Sequence, residues 1–290
     1  MGGSHMAEEI ASQPDCWARA ATIAAAAALP EPGARVAIIG CGTSWFIGQA
    51  YAALRESAGQ GETDAFAASE FPLGRRYDHV IALSRSGTTT EVHTLLSQLQ
   101  AGRTTAITGV PAEIAHRVDA VVDLSYADEQ SVVQTRFATT ALALLRAHLG
   151  EDLTTAVSQA REVLSTPLAE ALTGADQFSF LGAGWSVGLA NEAALKFREA
   201  ALLWTESYPA MEYRHGPISI SQPGRVSWMF GAAPDGLAAD VQRAGGHFEN
   251  TGIDPLADLV RAQLVAGEIA RRKGLDPDQP RNLTRSVVLA

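Results

Sequence analysis

The sequence predicts an α/β protein of two mostly parallel sheets, each covered by helices on both faces in the Rossmann manner. Three observations carry that expectation. Short branched runs alternate with helical stretches at the spacing of parallel strands joined by helical crossovers. Two matched glycine turns, Ile38-Ile39-Gly40-Cys41-Gly42-Thr43-Ser44 and Phe180-Leu181-Gly182-Ala183-Gly184-Trp185-Ser186, each follow an apolar run and open an alanine-rich helix. Gly40 and Gly182 lie 142 positions apart, as two copies of one module would. Finally, 290 residues suffice for two domains that each bury a core, and Leu149-Gly150 divides the chain into residues 1–150 and 151–290.

The elements follow in order. Residues 16–29 are alanine-rich and end at Leu29-Pro30, so a lead-in helix stops there. A strand at 35–39 enters the first glycine turn and a helix at 44–58. A short segment at 66–69 precedes the apolar run 79–83, then a helix at 90–99, a strand at 104–108 and a closing strand at 120–123. Helical sequence runs from 132 to 148 and again from 153 to 164. The second half repeats the plan with fewer strands, at 177–181, 226–230 and 246–248, with helices at 187–203, 237–244 and 255–273. The tail from Asp276 to Leu283 carries Pro277 and Pro280, so it is extended, and its local constraint suits a packed segment.

Arg and Lys total 22 against 32 Asp and Glu, a net charge of -10, which argues against nucleic acid as a partner. Cys16 and Cys41 provide neither a disulfide scaffold nor a metal cluster. No apolar run reaches membrane-spanning length. Met1-Gly2-Gly3-Ser4-His5-Met6 reads as an expression leader followed by the natural initiator. The expectation is a soluble cytoplasmic protein that needs no cofactor and no metal.

Anion chemistry is written in the first half. Ser84-Arg85-Ser86-Gly87-Thr88-Thr89-Thr90 sits where a strand ends and a helix begins, so hydroxyls, free amides and the helix dipole converge. Cys41, Gly42, Thr43 and Ser44 come from a neighbouring strand end that faces the same crevice in a doubly wound sheet. Either loop alone reads equally well as helix capping; two of them in one domain point to a phosphate cradle. At the corresponding place the second half has Gly231-Ala232-Ala233-Pro234-Asp235-Gly236, without a hydroxyl.

Acid–base chemistry is written in the second half. Glu192, Lys196 and Glu199 fall on one face of a helix whose other positions are Leu189, Ala190, Ala193, Ala194, Leu195 and Phe197. On a solvated helix this is an ordinary ion-pair ladder. In an apolar setting the stripe lines a cavity, and a carboxylate there acts as a base. His215 follows in Glu212-Tyr213-Arg214-His215-Gly216-Pro217, on a constrained loop, as a second acid–base candidate.

These segments together resemble tandem sugar isomerase (SIS) domain proteins of the phosphosugar-binding superfamily. The chain is especially similar to the isomerase half of the glutamine–fructose-6-phosphate amidotransferases. The likeness covers nearly everything after the first thirty residues and includes Glu192-Ala193-Ala194-Leu195-Lys196-Phe197-Arg198-Glu199 and the tail Asp278-Gln279-Pro280-Arg281-Asn282-Leu283-Thr284-Arg285-Ser286-Val287. The resemblance implies that Thr43, Ser44, Ser84, Ser86 and Thr89 hold a sugar phosphate, with Arg85 and Thr88 in the same loop. It implies that Glu199 moves a proton between C1 and C2, and that His215 assists ring opening from the neighbouring subunit of a homodimer. Glu192 and Lys196 would line that pocket, and Val133 would contribute a backbone contact from the loop 129–135.

Two departures are visible. Nothing in the chain corresponds to the glutaminase half of those enzymes. Arg285 stands where they have a lysine expected to form an imine; a guanidinium is a poor amine nucleophile but forks onto oxyanions. Aldose–ketose isomerisation of a hexose 6-phosphate or amino-hexose 6-phosphate through an enediol is therefore the expected activity. The alternatives are an ammonia-releasing glucosamine-6-phosphate deaminase, a fructosamine-phosphate deglycase and a non-catalytic phosphosugar sensor.

Overall fold

The computed structural model describes residues 4–289, so the leader reading of Met1-Gly2-Gly3 and the terminal Ala290 lie outside the described residues. The first half contains α1 His5–Ala11, α2 Gln13–Ile23, β1 Val36–Gly40, α3 Thr43–Ser57, β2 Thr63–Ala67, β3 His79–Leu83, α4 Thr90–Gln98, β4 Arg103–Thr108, α5 Pro111–Ile114, β5 Ala120–Asp123 and α6 Arg136–His148. Its five strands are all parallel in the order β2-β1-β3-β4-β5. Val36 pairs with both Thr63 and His79, which puts β1 between β2 and β3. The second half contains α7 Thr154–Ser165, α8 Glu170–Thr173, β6 Gln177–Gly182, α9 Ser186–Ala201, β7 Thr205–Pro209, β8 Arg225–Met229, α10 Leu237–Arg243, β9 His247–Glu249 and α11 Pro255–Arg272. Its four strands are parallel in the order β7-β6-β8-β9.

β1 and β3 are buried along their whole length. Strands covered on both faces need no polar alternation, which is why they read as apolar blocks. Alternate residues still meet different neighbours. Ile38 joins a core shared with the second half, whereas Ala37 and Ile39 join an outer cluster with Val80 and Ala82. In β6, Phe178 and Phe180 face the shared core and Leu181 the outer cluster around Met229 and Leu237. The shared core also takes Ile47 and Tyr51 from α3, Phe137 and Leu144 from α6, Phe197 from α9 and Leu259 from α11. The two sheets are thus joined through helices whose apolar faces belong to one continuous core.

The crossing of α3 and α9 is the centre of that arrangement. A Cβ on Gly188 would stand 2.5 Å from the Phe46 carbonyl oxygen and 2.7 Å from the Ala50 nitrogen, so the helices approach at a distance open only to glycine. Asn191 Nδ2 donates to Gln49 Oε1 at 2.7 Å, and Lys196 Nζ reaches Thr43 Oγ1 at 3.0 Å. The helices therefore run antiparallel, carrying the carboxyl-terminal part of α9 to the first glycine turn.

The lead-in, read from the sequence as helical over 7–30, consists of α1, helical from His5 and capped by the Ser4 hydroxyl accepting from Ala7 N, followed by α2. Two expectations need correction. The helix expected from 132 begins at Arg136, because the Glu129 carboxylate accepts from Thr135 N at 2.6 Å and Arg136 N at 2.7 Å and so caps α6 from the preceding loop. The second sheet has a fourth strand, β7, that the sequence reading lacked. It is an edge strand, Thr205-Glu206-Ser207-Tyr208-Pro209, polar and ending in proline, so it carries little strand signal. The tail does pack: Asp278 accepts from His5 N and Met6 N, both at 2.8 Å, so the end of the chain clasps its beginning.

Candidate active site

The strand order β2-β1-β3-β4-β5 reverses direction between β1 and β3, and ligands of such sheets sit beyond the carboxyl ends of the strands at that reversal. Both hydroxyl-bearing loops are there. Thr43 and Ser44 open α3 after β1, and residues 84–89 connect β3 to α4. Thr43, Ser44, Ser84, Arg85 and Ser86 are buried, Cys41, Thr88 and Thr89 half-buried, and Gly42 is exposed at the rim. Gly87 takes a φ of +67°, which turns the loop back on itself. Gly87 N donates to Ser84 Oγ at 3.2 Å, and Thr88 N and Thr88 Oγ1 donate to Ser86 Oγ at 3.2 and 3.0 Å. The loop is held in a compact bowl by its own hydroxyls. Burial pushes the Cys41 thiol up to about 11, with Glu91 adding to it, so that thiol remains protonated and is no nucleophile.

Arg85 faces away from the bowl. Its guanidinium donates to Ser131 O at 2.9 Å and to Arg285 O at 2.7 Å, and lies 3.8 Å from the Glu129 carboxylate. Val133 is buried in the same 129–135 loop. Arg285 is spoken for as well, with Nη2 at 2.5 and 2.7 Å from the two Asp128 oxygens and Nη1 on the Glu129 carbonyl. Ser286 Oγ is hydrogen-bonded to Thr88 Oγ1 at 3.0 Å, and Val287 O accepts from Thr90 N at 3.2 Å. The tail thus runs along the rim of the bowl and occupies one of its hydroxyls and one amide of the α4 start. Asp128, Ser286 and the capping role of Glu129 escaped the sequence reading; the partners of Asp128 and Ser286 lie 157 and 198 residues away, beyond any local pattern, and Glu129 caps from a loop, six residues before Thr135.

From the other side comes α9. Lys196 is fully buried and bridges three groups: Thr43 Oγ1 at 3.0 Å, Glu192 Oε1 at 3.5 Å and the Glu199 carboxylate. Glu192 is fully buried, and neither of its oxygens has a hydrogen-bond partner among the described residues. The 3.5 Å approach of Lys196 is an ion-pair contact rather than a hydrogen bond. Burial pushes Glu192 up to about 7 against the pull of Lys196. Lys196 is raised: burial works to lower it, and the flanking Glu192 and Glu199 outweigh that. Glu199 differs from Glu192 in reaching the surface, with a side-chain exposure of 19%. A buried ammonium therefore links a hydroxyl of the bowl to one hidden and one accessible carboxylate.

His215 is elsewhere. It ends a short turn, Glu212–His215, beyond the carboxyl end of β7, where Ala210 N donates to Gly182 O at 2.8 Å, and it is exposed. That is the amino-terminal end of α9. Glu199 lies further along α9 by on the order of 20 Å at 1.5 Å per residue. One chain does not bring His215 to Glu199. The second sheet has a reversal of its own between β6 and β8, but its groups are satisfied internally. Ser186 Oγ bonds Ala183 N and Phe230 O, both at 2.9 Å, and Arg214 Nη2 donates to Asp235 O at 2.6 Å. Among the described residues no group of three or more His, Cys, Asp or Glu side chains is placed to hold a metal ion, and no helix is long and apolar enough to cross a membrane.

No family model matches the chain. Among curated proteins it is 30% identical over 316 aligned residues to the glutamine–fructose-6-phosphate aminotransferase [isomerizing] of Gloeobacter violaceus, covering 88% of this chain and 52% of that protein. The enzyme of the same name from Bacteroides thetaiotaomicron is 29% identical, with 88% and 51% covered. The chain spans about half the length of the curated relatives it matches, and it is homologous to that part of them. Among solved structures, glucosamine-6-phosphate deaminase from Thermotoga maritima superposes with a TM-score of 0.84 at 23% identity, covering 99% of this chain and 100% of that one. Tagatose-6-phosphate ketose/aldose isomerase from Escherichia coli gives 0.81 at 20%, covering 99% and 96%. At these identities the superpositions establish a shared fold across the whole chain.

Proposed function

We propose that the chain is a sugar-phosphate isomerase whose phosphate-binding bowl is formed by Thr43, Ser44 and residues 84–89, and whose base is Glu199. The observation that carries this reading is the Lys196 bridge, which sets an accessible carboxylate beside a phosphate-sized cluster of donors. With the 6-phosphate of an open-chain hexose in the bowl, the Glu199 carboxylate takes the C2 proton of the aldose. The electron pair moves towards O1, which takes a proton as the enediol forms; O2 then gives up its proton as the same carboxylate returns the carbon-bound proton to C1, leaving the ketose carbonyl at C2. Lys196 and the hydroxyl groups around it stabilise the charge developing on oxygen.

Homology to half of an isomerizing aminotransferase and full-length likeness to a deaminase and a ketose/aldose isomerase support this chemistry. The β2-β1-β3-β4 and β7-β6-β8-β9 orders correspond strand for strand, and Gln49 and Asn191, equivalent across the 142-residue offset, touch each other. We read these as two SIS units, residues 1–150 and 151–290, related by an approximate twofold axis through the α3–α9 crossing. Only the first retains the bowl. Free cysteines at Cys16 and Cys41 suit a reducing cytoplasm.

The separation of His215 from Glu199 supports a homodimer in which the partner's His215 meets Glu199 and opens the sugar ring. Trp204 at 81% exposure and Leu202 at 45%, both just beyond the Glu199 end of α9, supply apolar surface for that contact. A second reading, release of ammonia from an amino-hexose 6-phosphate, is favoured by Arg285. Its guanidinium is committed to Asp128, so the tail offers no amine for imine chemistry, and deamination needs none: the C2 proton moves to C1 through an enolamine, and water hydrolyses the resulting C2 imine to ketose and ammonia. Purified protein offered a panel of hexose and amino-hexose 6-phosphates in deuterated water decides the matter. Deuterium at C1 of the ketose formed, or at C2 of recovered aldose, supports isomerisation, ammonia from glucosamine 6-phosphate supports deamination, and binding without exchange would leave a sensor.

A further inference from the structure

Glu192 is placed where the reaction gives it nothing to touch. It has no exposed surface, Thr43 and Lys196 stand within reach of its oxygens without making a hydrogen bond of good geometry, and Lys196 is shared with Glu199. The cluster therefore holds two carboxylates and one ammonium. A buried, unsolvated negative charge is costly, and each further negative charge nearby makes it costlier. The bowl that accepts the phosphate is bonded to the same ammonium through Thr43 Oγ1.

We propose that occupation of the bowl by a phosphomonoester dianion is accompanied by uptake of a proton onto Glu192, which keeps the buried cluster close to its charge before binding. The inference rests on the phosphosugar reading of the bowl and gives Glu192 a role: a positioning residue that lets Lys196 attend to ligand and Glu199 instead of to itself. The charged groups acting on Glu192 are Lys196 and Glu199 of its own helix, and it acts in turn on Arg198, which is held by Thr205 O and Oγ1. α3 presents the uncharged Thr43, and β6 (Gln177–Gly182) has no charged residue. β7 carries Glu206, and Asp258 of α11 is occupied by Arg261 and Trp228. Glu129 acts on Lys196 from the first half. Each nearby carboxylate favours the protonated form of Glu192, and so does an arriving phosphate. Burial already pushes Glu192 up to about 7, which puts the event within ordinary buffer range.

The test uses the whole chain and sorbitol 6-phosphate, which has no carbonyl to turn over. Above pH 7.5 its phosphate is almost wholly dianionic, the second ionisation lying at about 6, so any linked proton is taken up by the protein. Titration calorimetry at pH 8 in buffers of different ionisation enthalpy is expected to show uptake of about half to one proton. Affinity should then fall between pH 7.5 and 9 by up to about tenfold per unit. Glu192→Gln, which carries the proton's equivalent permanently, should bind with no linked proton and a flat pH profile. Should that variant fail to fold, infrared difference spectra of the native chain decide instead, with a new protonated-carboxyl band on ligand addition expected. Binding with buffer-independent heat overturns the proposal, as does uptake that survives in Glu192→Gln. Failure to bind the hexitol phosphate at any pH would overturn the phosphosugar reading itself, a different result from binding without a proton.

Discussion

Glu192 and Glu199 share a helix face and a cation but not an environment. A base has to reach its substrate, and of the two only Glu199 is accessible. Glu199→Gln keeps the shape and one acceptor while removing basicity. It should lower kcat by about 10²–10⁴-fold and leave phosphosugar Kd near native; unchanged turnover would reduce α9 to scaffold. A second residue governs stability rather than turnover. His79 is buried in β3, its Nε2 2.8 Å from Thr105 Oγ1, and burial pulls it from the usual 6.5 down to about 4. The fold holds it neutral while the unfolded chain takes the proton first. Its contribution is thus present above pH 6.5 and is lost as pH falls towards 4. Between pH 7.5 and 4.5 the native chain should lose about 2–3 kcal/mol more than His79→Gln in urea unfolding. Equal losses would show that His79 is not the group responsible.

At the scale of elements, the hydroxyl loop and the helix crossing make separate demands. Ser86→Ala combined with Thr89→Ala removes two donors from the bowl, each worth about 1.5–3 kcal/mol towards a charged ligand. Phosphosugar affinity should fall by two orders of magnitude or more, with melting temperature little changed; native affinity in a direct titration would move the anion site elsewhere. Gly188→Ala should destabilise by about 1–3 kcal/mol despite the better helix propensity of alanine, since its Cβ would strike the Phe46 and Ala50 backbone. Gly48→Ala is the contrast, because its Cβ would meet the Ile38 side chain at 3.2 Å, a neighbour able to shift. Similar urea midpoints for the two would remove the special status of the crossing. These elements also show what sequence makes legible. The strand–glycine turn–helix units were readable because β1 and β6 are buried on both faces and each turn admits only glycine. β7 was not, because an edge strand needs neither apolar alternation nor freedom from proline. The start of α6 was misplaced because its cap, Glu129, belongs to a loop. The bowl and the α9 stripe were readable as local patterns, whereas the Lys196–Thr43 contact that unites them was not, being a product of how the two halves cross.

For the whole molecule, the distance between His215 and Glu199 is the governing fact. Inactive Glu199→Gln and inactive His215→Ala chains, mixed under conditions that exchange subunits, should recover up to about a quarter of native activity, since random pairing makes half the dimers mixed and each mixed dimer holds one intact site. Light scattering should give a dimer at working concentration. Full activity from a monomer, or no recovery after demonstrated exchange, would return both residues to one chain and demand a rearrangement of α9. The shared core carries a related implication. Because α3, α6, α9 and α11 contribute to one apolar cluster, the halves should unfold together in a single transition.

Arg85 sits early in the chain and Arg285 at its far end, yet the guanidinium of the first is held by the carbonyl of the second. On a growing chain the first sheet can assemble while that carbonyl does not yet exist. At synthesis rates of about 5–20 residues per second, the wait is on the order of 10–40 s. Until the tail arrives, a cation destined for burial lacks one of its acceptors, and the rim of the bowl is open. The rim of the bowl is therefore completed only when residues 285–287 have emerged, not when the half that carries the bowl has folded.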